Sequence, residues 1–132
     1  MKNVIRQSSC VLCALLLAAL MVGCSEEHRS KSLVKDFLNE NLTNDDYSVD
    51  RYLKFDSTFR VSSQAITSLH ANAQKIGPFK TGIRYQPYKQ GDKLYFLRVK
   101  YDVETGGEKP MELTHTFYID KDMQGVVAVK EN

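Results

Sequence analysis

Residues 94–104, LYFLRVKYDVE, and residues 112–120, ELTHTFYID, decide the fold. In both stretches every second residue is apolar, aromatic or histidine, and most of the residues between them are polar. This period of two is typical of a β-strand that buries one face. The segment between the two stretches contains two adjacent glycines, which favour a turn. The pattern therefore predicts an antiparallel pair of strands with one buried and one solvated face.

The flanking sequence extends this pair into a larger sheet. Residues 83–89 and 126–130 are also strand-like and are separated from the central pair by turns rich in glycine and aspartate. Together the four stretches predict a four-stranded antiparallel meander. A further strand is predicted near residues 52–60, which are rich in aromatic and β-branched residues.

Two segments before the meander have the apolar spacing of amphipathic helices. The first has a plausible N-cap at Ser30 or Ser32, and its apolar residues are Leu33, Val34, Phe37, Leu38 and Leu42. The second has a plausible N-cap at Ser62 or Ser63, ends at Gly77 and Pro78, and has the apolar residues Ile66, Leu69, Ala73 and Ile76. Helix, strand, second helix and then a four-stranded antiparallel meander place the chain in the α+β class.

The N-terminus is typical of an exported protein. Lys2 and Arg6 precede an uncharged apolar stretch over residues 10–22, which is too short to cross a bilayer but fits the core of a secretory signal. Residues 20–23, LMVG, run directly into Cys24. This junction resembles the lipobox of bacterial lipoproteins, in which the cysteine is acylated on sulfur and becomes the new N-terminus. The usual leucine at the third-last position is here methionine.

The lipoprotein resemblance implies a domain organisation and a location. Residues 1–23 would be the signal peptide, residues 24–32 the lipidated Cys24 with a polar tether, and residues 33–132 a single globular domain. Two or three acyl chains hold a protein firmly on a bilayer, so the expected location is the outer membrane, either periplasm-facing or at the cell surface. Glu26 and Glu27 look like the export signals of Bacteroidetes-type surface lipoproteins, and a solvated linker is the alternative interpretation.

Removal of the signal changes the charge and cysteine arguments. The 18 basic residues fall to 16 when Lys2 and Arg6 are lost, and they then balance the 16 acidic residues. The balance leaves no basic excess to favour nucleic acid as a partner. Cys10 and Cys13 leave with the signal and Cys24 carries lipid, so the domain has no disulfide and the C-x-x-C string has no redox role.

The order of elements, the type of signal and the stretch over residues 55–58 resemble those of small Bacteroidetes-type lipoproteins. Their domains have a cystatin-like or nuclear-transport-factor-2-like shape, in which a curved sheet wraps around a helix. Such folds host binding modules, inhibitors and isomerases, so the shape alone does not choose a function. Asp56, Ser57 and Thr58 also look like an acceptor sequence for O-glycosylation in such exported proteins, with Ser57 as the modified residue.

Three histidines are the candidates for acid–base chemistry. His28 is expected to be solvated in the tether, and His70 is expected to be partly exposed at the margin of the apolar face of the second helix. His115 shares the apolar face of its strand with Leu113 and Phe117, which predicts a hydrogen-bonded core or rim histidine. If that face instead lines a cavity, His115 is the best acid or base in the chain.

Other chemical motifs are missing from the sequence. It has no free cysteine in the domain, no paired histidines at ligand spacing, no nucleophile-elbow string and no glycine-rich phosphate loop, so neither a metal nor a cofactor is predicted. An isomerase would need a carboxylate base and a tyrosine, for which the candidates are Asp56 or Asp102 with Tyr101 or Tyr118. Ligand binding on an aromatic face is a further possibility, through Tyr85, Tyr88 or Tyr95.

Two functional hypotheses follow. The favoured one is a non-catalytic, lipid-anchored module of the cell envelope that binds an unknown protein or small ligand at the edge of the sheet or of a helix. The alternative is an isomerase or lyase that uses a cavity with His115 or an aspartate–tyrosine pair. An open cavity beside Leu113, His115 and Phe117 would favour the enzyme, whereas a packed interior would favour the binding module.

Overall fold

A computed structural model describes residues 25–132, so the predicted signal and Cys24 lie outside the described residues. The elements in chain order are α1 at residues 25–41, β1 at Tyr47–Thr58, α2 at Ser63–Ala73, β2 at Leu94–Val103, β3 at Met111–Ile119 and β4 at Val126–Glu131. The strands form one antiparallel sheet in the order β1-β2-β3-β4. The predicted α+β class and the order helix, strand, helix, sheet are confirmed.

Helix α1 packs against one face of the sheet, which we call the inner face. The apolar residues predicted from the spacing are all buried, Leu33, Val34, Phe37 and Leu38 within the helix and Leu42 just after its end. They join one cluster with the inner residues of the two central strands, Leu97, Val99, Tyr101, Phe117 and Ile119. Alternation along β2 and β3 therefore places the core on one side of the sheet. The opposite side, the outer face, carries the intervening residues.

Helix α2 packs beside β4, where it covers an edge of the sheet. Ile66 belongs to a second buried cluster with Leu94, Val127 and Ala128. A ring nitrogen of His70, Nε2, lies 2.6 Å from the carbonyl oxygen of Val127 on β4. Such contacts satisfy edge carbonyls that would otherwise be free to pair with another chain.

The start of α2 matches the sequence prediction. The side chain of Ser62 accepts a hydrogen bond of 3.1 Å from the backbone N–H of Ala65, which is the bond of an N-cap residue. The helix ends at Ala73, before the predicted Gly77 and Pro78.

The structure differs from the predicted meander at residues 83–89, which lie outside the sheet. The segment crosses beside β4 and donates one backbone hydrogen bond, from Gln86 N–H to the carbonyl of Val126 at 2.8 Å. Tyr85 stacks on His70, with ring centroids 3.9 Å apart. Side-chain packing against α2 thus replaces a strand ladder. The fourth strand is instead β1, which pairs with β2 and extends further toward the N-terminus than the predicted 52–60.

The structure also differs from the predicted tether, because residues 25–32 are helical and continue into α1. Ser30 is fully buried within the helix, where its hydroxyl donates to the carbonyl of Glu26 one turn earlier at 2.8 Å. Tyr95 donates to the carboxylate of Glu26 at 3.2 Å. These polar contacts join the first turns to the domain. Apolar periodicity could not indicate them, because the residues involved are not apolar.

Strand β1 is the second edge of the sheet and is irregular. Its register with β2 shifts between Val49 and Arg51 and again between Tyr52 and Lys54. Leu53, within the second irregularity, leaves 45 % of its surface exposed. Bulges of this kind twist an edge strand and discourage pairing with a neighbouring molecule.

A pair of leucine variants tests the packing of α1. Leu38 is fully buried on α1, and Leu53 is half exposed on β1. We expect Leu38→Ala to lower the free energy of unfolding by about 2–5 kcal/mol because it leaves a cavity. The matched Leu53→Ala should change it by less than about 1 kcal/mol. Urea unfolding followed by circular dichroism measures both, and equal losses would contradict the described packing.

Candidate functional site

His115, the strongest acid–base candidate, lies in the core. Strand β3 places it on the inner face, and none of its surface is exposed. Its Nδ1 atom lies 2.7 Å from the hydroxyl oxygen of Tyr101 on the neighbouring strand β2. The ring centroid of Phe79 is 5.6 Å away, and that of Phe117 is 6.3 Å away. The prediction of a hydrogen-bonded core histidine is confirmed.

The surroundings keep this pair neutral. Burial lowers the pKa of His115 to about 4, because desolvation penalises the imidazolium. Burial also raises the pKa of Tyr101 above its usual value, since the phenolate is penalised in the same way. We therefore assign the tyrosine hydroxyl as the donor and Nδ1 as the acceptor. The other ring nitrogen, Nε2, has no hydrogen-bond partner among the described residues.

A cleft near the inner face stops short of His115. It encloses about 560 Å³ between the C-terminal turn of α2 and the ends of β3 and β4. Leu113 lines it together with Leu69, Ile76 and Val129, but neither His115 nor Phe117 does. The inner face is therefore packed around His115. The cleft opens only beside Leu113, nearer the start of β3. This geometry gives a substrate no path to the imidazole.

The predicted aspartate–tyrosine pairs are not brought together. Tyr101 points into the core, whereas its neighbour Asp102 belongs to the outer face. On that face Asp56 pairs with Phe96, which in turn pairs with Tyr118. Asp56 and Tyr118 are thus separated by a whole strand, which amounts to about 10 Å of backbone spacing.

The three tyrosines proposed for an aromatic face are also separated. Tyr85 and Tyr88 line one cleft of about 310 Å³ beside α2, where the Tyr88 hydroxyl donates to the carbonyl of Val61. Tyr95 is buried at the start of β2 and stacks on Phe55, with ring centroids 5.9 Å apart. Tyr85 and Tyr88 therefore share a surface from which Tyr95 is absent, and ligand binding by any of the three stays a prediction.

The remaining predicted residues have ordinary positions. His28 is exposed on α1, and His70 is half buried, bonded to β4 and stacked on Tyr85. Ser57 is half buried in β1, and its backbone N–H donates to the carboxylate of Asp56 at 2.8 Å. Glycosylation of Ser57 stays a prediction.

The outer face carries a groove that the sequence did not reveal. It encloses about 240 Å³ over side chains from all four strands, and the connection from β1 to α2 forms a wall. We define this basic groove by four cationic and two aromatic residues: Lys54, Arg60, Arg98, Lys130, Phe96 and Tyr118. None of its lining residues, all within the described range, is acidic. The groove therefore concentrates positive charge.

The floor of the basic groove is fixed by strand register. Lys54 on β1 pairs with Arg98 on β2, Arg98 pairs with Thr116 on β3, and Thr116 pairs with Lys130 on β4. Paired residues of antiparallel strands project to the same face, so these four side chains form one row across the sheet. The sequence indicated only that Arg98 and Lys100 lie on the polar side of their strand. The other cations of the row, Lys54 and Lys130, come from strands that are distant in the sequence.

No similar protein identifies the site. Comparisons with models of protein families, with curated proteins and with solved structures found no match to this chain. Among residues 25–132, no three or more histidine, cysteine, aspartate or glutamate side chains are grouped as metal ligands would be. Neither helix in that range is long and apolar enough to cross a membrane.

The burial of His115 predicts a specific pH dependence of stability. The unfolded chain titrates this residue near pH 6.5, so on acidification the unfolded state gains the proton first. Its contribution to stability is present above about pH 6.5 and is lost as the pH falls toward about 4. Between pH 7 and pH 5 the loss amounts to about 2 kcal/mol.

Urea unfolding of the native protein and of His115→Gln at both pH values measures this effect. Glutamine cannot titrate but can still accept from Tyr101, so the native protein should lose about 2 kcal/mol more than the variant. Parallel losses in the two proteins would show that His115 is not held neutral by burial.

Proposed function

We propose that this protein is a lipid-anchored module of the bacterial cell envelope that binds a ligand on the outer face of its sheet and does not catalyse a reaction. The binding part of this proposal depends on one observation, the basic groove. It is the place where charged and aromatic side chains from all four strands converge on a surface that a ligand can reach. The anchoring part depends on the lipobox-like junction at Cys24.

The first helix supports an anchor held close to the domain. Residues 25–32 are helical, Glu26 contacts Tyr95 of the sheet, and Ser30 contacts Met123 in the β3–β4 turn, so the described residues from position 25 onward belong to the domain. Two or three acyl chains on Cys24 would then keep the whole domain near the outer membrane. Whether it faces the periplasm or the cell surface depends on export, for which Glu26 and Glu27 are the candidate signal.

The binding module is preferred over an isomerase because a substrate cannot reach the histidine of the inner face, whereas a ligand can reach the cations of the outer face. Catalysis by His115 requires that a substrate approach the imidazole within about 3 Å, and the packed rings around it leave no room. Nor do the aspartates lie beside a tyrosine that could share a substrate with them. The outer face, in contrast, presents the exposed cations Lys54 and Lys130, whose charges an incoming group could neutralise.

A cysteine variant tests the anchor. In a bacterial host supplied with an alkyne analogue of palmitate, the native protein should incorporate label and fractionate with membranes. Cys24→Ala should lose both properties, because it has no thiol to acylate. Cys13→Ala is a matched control that removes a cysteine within the predicted signal, and it should behave like the native protein. If Cys24→Ala labels and fractionates as the native protein does, the lipoprotein assignment is wrong.

A further inference from the structure

We infer that the basic groove binds the phosphate group of an organic phosphate, with the rest of the ligand lying across Phe96 and Tyr118. This inference depends on the proposed binding role of the outer face and names its ligand class. The observations that carry it are the juxtaposition of unpaired cations, the contact between Arg98 and Thr116, and the aromatic side chains beside them.

The cations of the basic groove repel one another, and no acidic side chain of the described residues pairs with them. Lys54 and Arg98 are directly opposite on neighbouring strands, and like charges in that arrangement destabilise a sheet. Arg60 approaches from the wall, and Lys130 lies at the far end of the row. Within residues 25–132, none of these four side chains has a carboxylate within 4.0 Å. An anion from outside the chain would relieve this repulsion.

The acidic residues Asp50 and Asp56 of β1 do not line the basic groove. Asp50 forms ion pairs with Lys100 at 3.6 Å and with Arg51 at 3.8 Å. Asp56 accepts a hydrogen bond from the backbone N–H of Ser57. The mixed-charge cleft near the β3–β4 turn differs in this respect, because there Lys121 pairs with Asp92 at 3.5 Å. The basic groove is distinguished by its lining, which brings four cations together and includes no carboxylate.

Neighbouring side chains orient the guanidinium of Arg98. Its Nε lies 3.4 Å from the hydroxyl oxygen of Thr116, and this hydroxyl donates to the side chain of Asn132 at 2.7 Å. Arg98 is half buried, whereas Lys54 and Lys130 are exposed. A guanidinium held in this way can present its remaining N–H groups as a fork, which suits the oxygens of a phosphate.

The number of charges favours phosphate over a single carboxylate. Four cationic groups line a space of about 240 Å³, and a phosphate monoester carries a charge of about −1.5 to −2 at neutral pH. That volume is below the roughly 300–1,000 Å³ of pockets that enclose a whole small molecule. The groove therefore suits an anionic group together with the part of the ligand next to it.

The aromatic pair supplies a surface for that adjoining part. The ring centroids of Phe96 and Tyr118 are 6.2 Å apart. These two residues pair across β2 and β3, two residues along the strands from the pair Arg98 and Thr116. The ammonium group of Lys54 is 5.8 Å from the Phe96 ring centroid, so the cationic and aromatic surfaces are continuous. A ring or a short apolar chain on the phosphate would contact both aromatic side chains.

Nuclear magnetic resonance titration of the full chain in non-ionic detergent tests the inference. The probes are phenyl phosphate, inorganic phosphate and phenyltrimethylammonium, which has a ring of the same size but the opposite charge. Phenyl phosphate should shift backbone amide signals near Lys54, Arg98 and Thr116 in a saturable way, and more tightly than inorganic phosphate. Phenyltrimethylammonium should leave these signals unchanged, and added salt should weaken the phosphate complexes.

Variants distinguish binding in the basic groove from nonspecific attraction to positive charge elsewhere on the domain. Lys54→Gln combined with Arg98→Gln should weaken phenyl phosphate binding at least about tenfold, because charge-assisted hydrogen bonds are lost. Lys35→Gln removes an exposed cation on α1 and should bind as the native protein does. Amide spectra report whether each variant is folded.

Three results would overturn the inference: no binding of phenyl phosphate, equal binding by the double variant, or shifts confined to residues outside the groove. Equal affinities for phenyl phosphate and inorganic phosphate would refute the organic part of the ligand. Any of these results with intact labelling of Cys24 refutes the ligand class but leaves the anchor in place. Loss of the anchor would appear in the labelling experiment, whatever the titration shows.

Discussion

Helix α1 lies across the inner face of a four-stranded sheet, and this contact buries the side chains of that face. Phe37 on the helix meets the edge of Phe117 on the sheet, with ring centroids 5.9 Å apart. The rings of Phe117 and Phe79 pack against His115. Because the imidazole is buried, its pKa is lowered and it stays neutral at pH 7. On the outer face, α2 packs against Leu94 and Ala128, and the strand register assembles the basic groove beside them.

Much of the fold could be predicted because alternating burial is a local property. The alternation in β2 and β3, the apolar stripe of α1 and the cap at Ser62 are all visible within a few turns or residues of sequence. Residues 83–89 show why local patterns are insufficient elsewhere. Their alternation is that of a strand, but Tyr85 packs on His70 of α2 instead. Whether such a segment pairs as a strand or packs through its side chains depends on tertiary contacts, which a local pattern does not contain.

The candidate site was less predictable because it depends on long-range register. Burial of His115 follows from its strand, but its partner Tyr101 follows only from the pairing of β2 with β3. The row that joins Lys54, Arg98 and Lys130 needs three pairings at once, and a shift of one residue would turn a side chain to the opposite face. Each of these cations, taken alone in the sequence, has the character of an ordinary solvated residue.

If the inner face is closed, the imidazole of His115 stays neutral well below its usual pKa of about 6.5. The ¹⁵N chemical shifts of the His115 ring, followed from pH 8 to pH 4.5, test whether that face is closed. A neutral ring with stable shifts down to about pH 5 agrees with a pKa lowered to about 4 by burial. A titration midpoint near 6.5 would mean that water reaches the imidazole, and the closed inner face would be contradicted.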